Sequence, residues 1–308
     1  MVNSMHKENR IGFCCISLPD GEYSGTKFKS TTLSWCQKNK DEAEAKLKNI
    51  YAHNLKELAA VINYCIEKKM WIYRISSDLF PLADHPDFSH IYEDFSSNKS
   101  NWGAALLAIE VYYSMGGRCS THPGQFCSIG SEKETVRANS IKCLEYHASF
   151  MDNLGLPRNH TAHINIHLSN GKNPVPLLPN FRNSLSKLSV GVLSRLTFEN
   201  EHNGFWTVSN IRSYFPSVPI VFDSLHYKCN PDNILSFQEA AQSAASTWRD
   251  YNPVFHHSEG RESETDRKHS DYIKKIPDEF LFSKIDIEVE AKAKNLSILE
   301  YRNSINQS

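Results

Sequence analysis

No two of the eight cysteines are spaced C-x-x-C, which excludes a zinc ribbon and a thioredoxin-type redox motif. Several sit in apolar, strand-like runs, where a free cysteine packs as a small hydrophobe, and a reducing cytosol offers no disulfide framework. No apolar stretch reaches the length that spans a bilayer, and the opening MVNSMHKENR is too polar for a secretory leader. A cytoplasmic protein without a membrane partner is expected. Neither G-x-G-x-x-G nor a Walker motif occurs, so no nucleotide cofactor is expected. An excess of one charge is also lacking: the net charge of −1 counts mildly against nucleic-acid binding, although a local basic rim or bound cations offset a negative total. There is no linker, low-complexity tract or internal repeat, so residues 1–308 read as one domain, expected to be monomeric.

Hydrophobic residues make up 40% of the chain and charged residues 22%, enough for a sizeable core. Fourteen of the 308 residues are histidine, the unusual figure in the composition, and histidine is the commonest metal ligand. Short β-branched and aromatic runs predict eight strands: Ile11–Ser17, Trp71–Ser77, Gly117–Pro123, Ala162–Leu168, Arg195–Glu201, Pro219–His226, Asn252–Ser258 and Ser283–Glu290. Between them, helices are expected over Lys40–Lys69, Asn101–Met115, Ser131–Leu154, Phe181–Val190, Thr207–Phe215, Asn233–Trp248 and Lys292–Arg302, with Asn101 and Asp232 as caps. The charged stretch Gly260–Ile276 holds a short helix at most. Strand–helix alternation repeated eight times predicts an α/β fold, a single (β/α)8 TIM barrel, with an open doubly wound sheet as the structural alternative.

In such a barrel the active site lies at the C-terminal ends of the strands. There the sequence places His122, His167, Glu199 and Glu201, Asp223 and His226, His256 and His257, and Glu288 and Glu290. A single histidine at a strand end is ordinarily a satisfied, hydrogen-bonded side chain. Six of eight predicted strands ending alike point instead to a shared metal site. Imidazole and carboxylate without thiolate suit Mn, Zn, Fe or Co. The donors exceed what one ion needs, which implies two or three ions clamping the attacking and leaving oxygens of a phosphodiester. Asp223 and His226, three apart, converge only if the chain turns at Ser224–Leu225.

The segments RIGFCCIS, YRISSDLFPLADHP, STHPGQFCS, HINIHLSNGK, LTFENEH, VFDSLHY, FHHSEGR and DIEVEAKAK occur in this order. Together they resemble the UV damage endonuclease family, TIM-barrel relatives of the endonuclease IV type of abasic-site nuclease. HPGQF, FENE and EAK are specific as a set and weak singly. The resemblance implies a barrel loaded with three metal ions, Mn²⁺ first, with Zn²⁺, Mg²⁺ and Co²⁺ left open. It implies incision of damaged double-stranded DNA immediately 5′ of pyrimidine dimers and 6-4 photoproducts, with abasic sites in range, leaving a 3′-hydroxyl and a 5′-phosphate. Carried across motif by motif, the metal ligands are His122, His167, Glu199, Asp223, His226, His256, His269 and Glu290, with His85 as a further site histidine. The same carry-over makes His163 and His257 neighbours, with a shift of one residue between His256 and His257 left open. Glu199, Glu290 and His226 would carry catalysis.

The resemblance makes Gln125 and Phe126 the lesion-probing pair, with Phe13, Ser17 and Arg261 as further DNA contacts. A damaged dinucleotide stacks and pairs poorly, so a wedge enters the duplex there at lower cost; the structural alternative is that Phe126 packs inside its own loop. Basic residues Lys172, Lys228, Arg261 and Lys268 are expected to hold flanking phosphates or to be solvated surface charges. The chain departs from the family pattern where Phe126 replaces a frequent Tyr, where Val254 replaces a modified Lys, and near Ser17, where some members carry Asn. Three further readings stay open from the residues: an endonuclease IV-type abasic-site enzyme, a sugar isomerase on the same metal barrel, and a barrel with a degenerate site that binds DNA or another partner without catalysis.

Overall fold

The structure, a computed structural model, describes residues 10–168, 173–280 and 284–307. The β-branched and aromatic runs form eight short parallel strands: β1 Arg10–Cys14, β2 Ile72–Ile75, β3 Arg118–Thr121, β4 Ile164–Ile166, β5 Leu196–Glu199, β6 Ile220–Asp223, β7 Val254–His257 and β8 Asp286–Val289. Each pairs with the next, and β8 returns to β1 with Arg10 opposite Asp286 and Phe13 opposite Val289, so the sheet closes as a TIM barrel rather than an open sheet. The β1–β2 seam requires a glycine, because a Cβ on Gly12 would lie 1.5 Å from the Ile72 carbonyl oxygen.

The strands end earlier than the apolar runs suggest, because the polar residues at their C-terminal ends leave the ladder to turn. Pro123 has no N–H to extend β3 beyond Thr121. Asp223 closes β6, and its Oδ1 accepts the His226 N–H at 2.7 Å, capping the short helix Ser224–Cys229. The turn expected at Ser224–Leu225 is therefore a helical one.

The longest helix, Lys40–Glu67, buries Leu47, Ile50, Tyr51, Leu55, Leu58 and Ile62 at helical spacing against the barrel. Helices Gly103–Ser114, Glu134–Asn153, Val208–Tyr214, Phe237–Ser246 and Lys294–Asn306 fill expected gaps. Other local expectations need correction. Asn101 is not the cap; Asn98 caps the 3-10 turn Lys99–Trp102 through the Ser100 N–H at 3.1 Å. The helix expected from Asn233 starts at Phe237, where Ser236 and Glu239 form a capping box, while Asp232 accepts the N–H groups of Ser209 and Ile234. The stretch expected as Phe181–Val190 is two short helices, Leu178–Leu185 and Val190–Leu193. Leu33–Lys38 and Ser89–Ser97 are helices that sequence periodicity did not expose. Gly260–Ile276 contains no helix; Gly260 bridges His269, and the Arg261 N–H donates to Lys268 at 2.8 Å. Ser283, the expected start of strand eight, and Lys172 lie outside the described residues. Among the described residues no helix is long and apolar enough to cross a membrane.

Candidate metal centre

Alternate residues of β8 point into the barrel, and they are acidic. Asp286 is fully buried and accepts from Arg10 Nε at 2.7 Å and from Arg118. Two residues on, Glu288 accepts from Ser120 Oγ at 2.7 Å and pairs with Arg74 of β2. Just past β8, Glu290 pairs with the same guanidinium. Arginines thus neutralise this ladder of buried carboxylates, which would otherwise be prohibitively costly. Nothing in the apolar periodicity announces it; the signal is a charged residue inside the β-branched run of β2, Tyr73-Arg74-Ile75.

Above the ladder, Glu199 closes β5 with 1% of its side chain exposed and sits among three imidazoles. Its Oε2 lies 3.1 Å from His122 Nε2 and 3.3 Å from His256 Nδ1; its Oε1 lies 3.1 Å from His226 Nδ1. Asn165 of β4 donates to the same carboxylate. His167 joins from the end of β4, its ring 4.8 Å from that of His122 and its Nδ1 3.4 Å from Glu201. Three donor groups result, each with its ligand atoms within 4.8 Å of one another: His122, His167 and Glu199; Glu199, Asp223 and His256; and His256, Glu288 and Glu290. Glu199 and His256 each belong to two of these groups. The third group already has the Arg74 guanidinium on both of its carboxylates.

The donors fit divalent cations on one further observation. Asp223 Oδ2, His167 Nδ1 and both His256 nitrogens are buried without a hydrogen-bond partner among the described residues. Buried polar atoms are rarely left so, and divalent cations held by imidazole and carboxylate would engage Asp223, His167 and one nitrogen of His256.

The electrostatics are those of a crowded, largely buried site. Burial pulls the His256 imidazolium down, but Glu199 and Glu290 overcome it and push its pKa up to about 9. Burial likewise opposes the charged form of His226, yet Asp223 and Glu199 hold its pKa well above the ordinary histidine value. His167 is raised by Glu199 and Glu201 against the same burial, whereas burial wins at His122 and lowers it. Glu199, although buried, is held well below the usual carboxylate range by His256 and His167.

Of the residues singled out in the sequence, the structure brings His122, His167, Glu199, Asp223, His226, His256, His269 and Glu290 to one end of the barrel. A cavity of about 320 Å³ there is lined by Arg74, His122, His167, Glu199, His226 and Glu290, among others. His269 is set by a 2.6 Å contact from its Nδ1 to the Glu290 carbonyl. His257, next to His256 on β7, faces away from the cavity: its ring nitrogens meet Ser224 Oγ and the Lys275 carbonyl, both at 2.8 Å, and burial lowers its pKa to about 4. His163 is buried below, edge-on to Trp248. Val254 is fully buried beside Val221 and Trp248 and offers no ligand.

Gln125 and Phe126 stand exposed on the loop that follows His122, Phe126 by 86%, so this ring does not pack inside its loop. The loop is anchored behind them, where buried Cys127 closes a turn on Gly124 and Ser128 N–H donates to Ser140 Oγ at 2.8 Å. The other expected contacts do not line this cavity. Phe13 is fully buried, edge-on to Tyr73. Ser17 is 2% exposed, its hydroxyl within 2.6 Å of Tyr23 Oη and 2.7 Å of Thr26 Oγ1. His85 sits in the turn before helix Ser89–Ser97, where its Nδ1 accepts the Asp87 N–H at 3.2 Å, outside every donor group. Arg261 is exposed and paired with Asp271 at 3.1 Å; Lys268 is exposed. Arg74, Asn165, His202 and Arg267 belong to the site and were not singled out in the sequence.

Comparison with known proteins agrees with this geometry. The UV-endonuclease UvdE family model matches residues 9–307. The UV DNA damage endonuclease of Nostoc sp. is 32% identical over 305 residues, 95% of this chain and 89% of the relative. The crystal structure of SacUVDE matches with a TM-score of 0.77 at 25% identity, covering 97% of this chain and 99% of that one. Endonuclease IV from Thermus thermophilus shares the fold alone, with a TM-score of 0.56 at 12% identity over 82% of this chain and 95% of its own. With the family match running through every strand of the barrel, the chain belongs to the UV-endonuclease UvdE family of nucleases.

Proposed function

We propose that the protein hydrolyses double-stranded DNA immediately 5′ of ultraviolet photoproducts with the help of two or three divalent cations, Mn²⁺ first among them. One observation carries the reading: buried donor atoms of Asp223, His167 and His256 have no hydrogen-bond partner among the described residues, and these side chains stand around Glu199. His122, His167, Glu199, Asp223, His226, His256, His269 and Glu290 would hold the ions. Cations bound there supply an activated water nucleophile near neutral pH and neutralise the departing oxygen.

The chain's own residues do the rest. Glu199 belongs to two donor groups and would serve as a ligand in either. Glu290, oriented by Arg74, faces the same cavity. Water oxygen joins phosphorus as the P–O3′ bond breaks, leaving a 3′-hydroxyl and a 5′-phosphate. Gln125 and Phe126 enter the duplex where the lesion has weakened stacking; the ring replaces lost stacking and the amide meets exposed base edges.

The test is incubation with irradiated and untreated plasmid, with and without Mn²⁺ and chelator. Selective, chelator-sensitive nicking of the irradiated DNA is expected; equal nicking of both, or none, overturns the proposal. Photoproduct and abasic oligonucleotides side by side separate it from an endonuclease IV-type activity.

A further inference from the structure

Two arginines line the cavity of the candidate metal centre, and they differ in what they neutralise. Arg74 is 7% exposed and bonded to both Glu288 and Glu290, so its charge serves the protein. Arg267 is exposed and, among the described residues, has neither carboxylate nor hydrogen-bond partner. Its acidic neighbour does not take it: the Asp266 carboxylate accepts the N–H groups of Glu262 at 3.2 Å and Lys268 at 3.0 Å.

The loop that carries Arg267 is built to hold a position. Gly260 bridges His269 across its base, and the Arg261 N–H donates to Lys268 at 2.8 Å. A Cβ on Gly260 would lie 2.0 Å from the Ser263 carbonyl oxygen, so the loop closes tightly on itself. His269, two residues from Arg267, pins it to the barrel through the Glu290 carbonyl. His202, whose ring lies 5.2 Å from that of His226, lines the same wall. A planar guanidinium with free N–H groups, held at the rim of a phosphodiester hydrolase, matches a bidentate phosphate.

We propose that Arg267 is a catalytic residue that contacts the non-bridging oxygens of the scissile phosphate and neutralises the charge gathering there as water attacks. This rests on the hydrolase reading above. The phosphate itself neither gains nor loses a proton to Arg267; the guanidinium stays charged throughout.

The test uses the full-length, Mn²⁺-loaded protein and its Arg267→Gln and Arg267→Lys variants. On irradiated duplex, kcat of Arg267→Gln is expected to fall about 100-fold, the scale of a lost transition-state donor, with metal content and Tm unchanged. Arg267→Lys recovers part of the loss. In parallel, inorganic phosphate is titrated into each protein and its protection against thermal unfolding is measured. Protection of the wild type that is lost in Arg267→Gln supports the assignment. Wild-type nicking by Arg267→Gln, or phosphate protection that the substitution leaves intact, overturns it. A wild-type protein that fails to nick irradiated DNA sinks the endonuclease reading instead, and the phosphate titration then decides only whether Arg267 holds a phosphate.

Discussion

Glu199 and His256 meet at the mouth of the barrel with Oε2 and Nδ1 3.3 Å apart, each side chain 1% exposed. One residue closes β5 and the other lies in β7. Both are almost wholly buried, so the charge that one carries bears directly on the other. This pair sets the pH behaviour of the site, and a change at either residue is felt by both cation positions.

Glu199→Gln removes a donor shared by two groups. Even partners one shell beyond a metal cost about 10–100-fold in affinity when lost, so the Mn²⁺ affinity of this variant is expected to fall by more than that. Nicking of irradiated plasmid disappears while the far-ultraviolet circular dichroism stays native. Titration calorimetry with Mn²⁺ checks the first and a plasmid assay the second; near-normal nicking removes Glu199 from the chemistry.

The pH dependence follows from His256. Its folded pKa of about 9 stands above the ordinary unfolded value of about 6.5. A group raised on folding binds its proton more tightly in the native state, so its contribution to metal-free stability is full below about pH 6.5 and is lost as pH rises through about 9. A cation must displace that proton, so metal affinity climbs over the same interval. Melting curves with and without Mn²⁺ at stepped pH are expected to diverge as the solution becomes alkaline. A constant gap between the two curves contradicts the assignment of His256 as a ligand.

Phe126→Ala is expected to leave stability within about 0.5 kcal/mol, as for an exposed substitution, because the ring is 86% exposed. Gln125→Ala behaves alike. Both lower the preference for damaged over intact duplex more than they lower hydrolysis itself. Competition between irradiated and untreated oligonucleotides measures this, and an equal loss on both substrates rejects the wedge.

Arg74→Met removes the guanidinium that pairs with both Glu288 and Glu290 and leaves His256 as the nearby counter-charge. Breaking a buried pair in this way costs about 3–5 kcal/mol, to be read from urea unfolding of the metal-free protein. Added Mn²⁺ is expected to restore part of the loss by drawing on Glu290. A variant as stable as the wild type shows that the ladder needs no cation.

How much of this was legible follows from the physics of each feature. The barrel was, because β-branched runs and amphipathic stretches carry local periods of two and 3.6 residues, and their alternation admits few topologies. The ends of elements were read less well. Asp232, Asn98 and Ser236 are all ordinary capping residues, and which one starts a helix depended on whether its side chain was claimed elsewhere, as Asp232 is by Ser209.

By itself the sequence determined which side chains stand at the strand ends, since a parallel strand closing into a barrel sends its last residues to one face. Only the closed tertiary structure decided who meets whom there. His256 rather than His257 turns inward because pleating sends neighbours to opposite sides, and the outward ring finds Ser224 and Lys275. Arg74 and Glu290 lie 216 positions apart in the chain, yet they touch because β1, between β2 and β8, closes the ring. No local pattern encodes a contact of that separation; it exists only once the ring is shut.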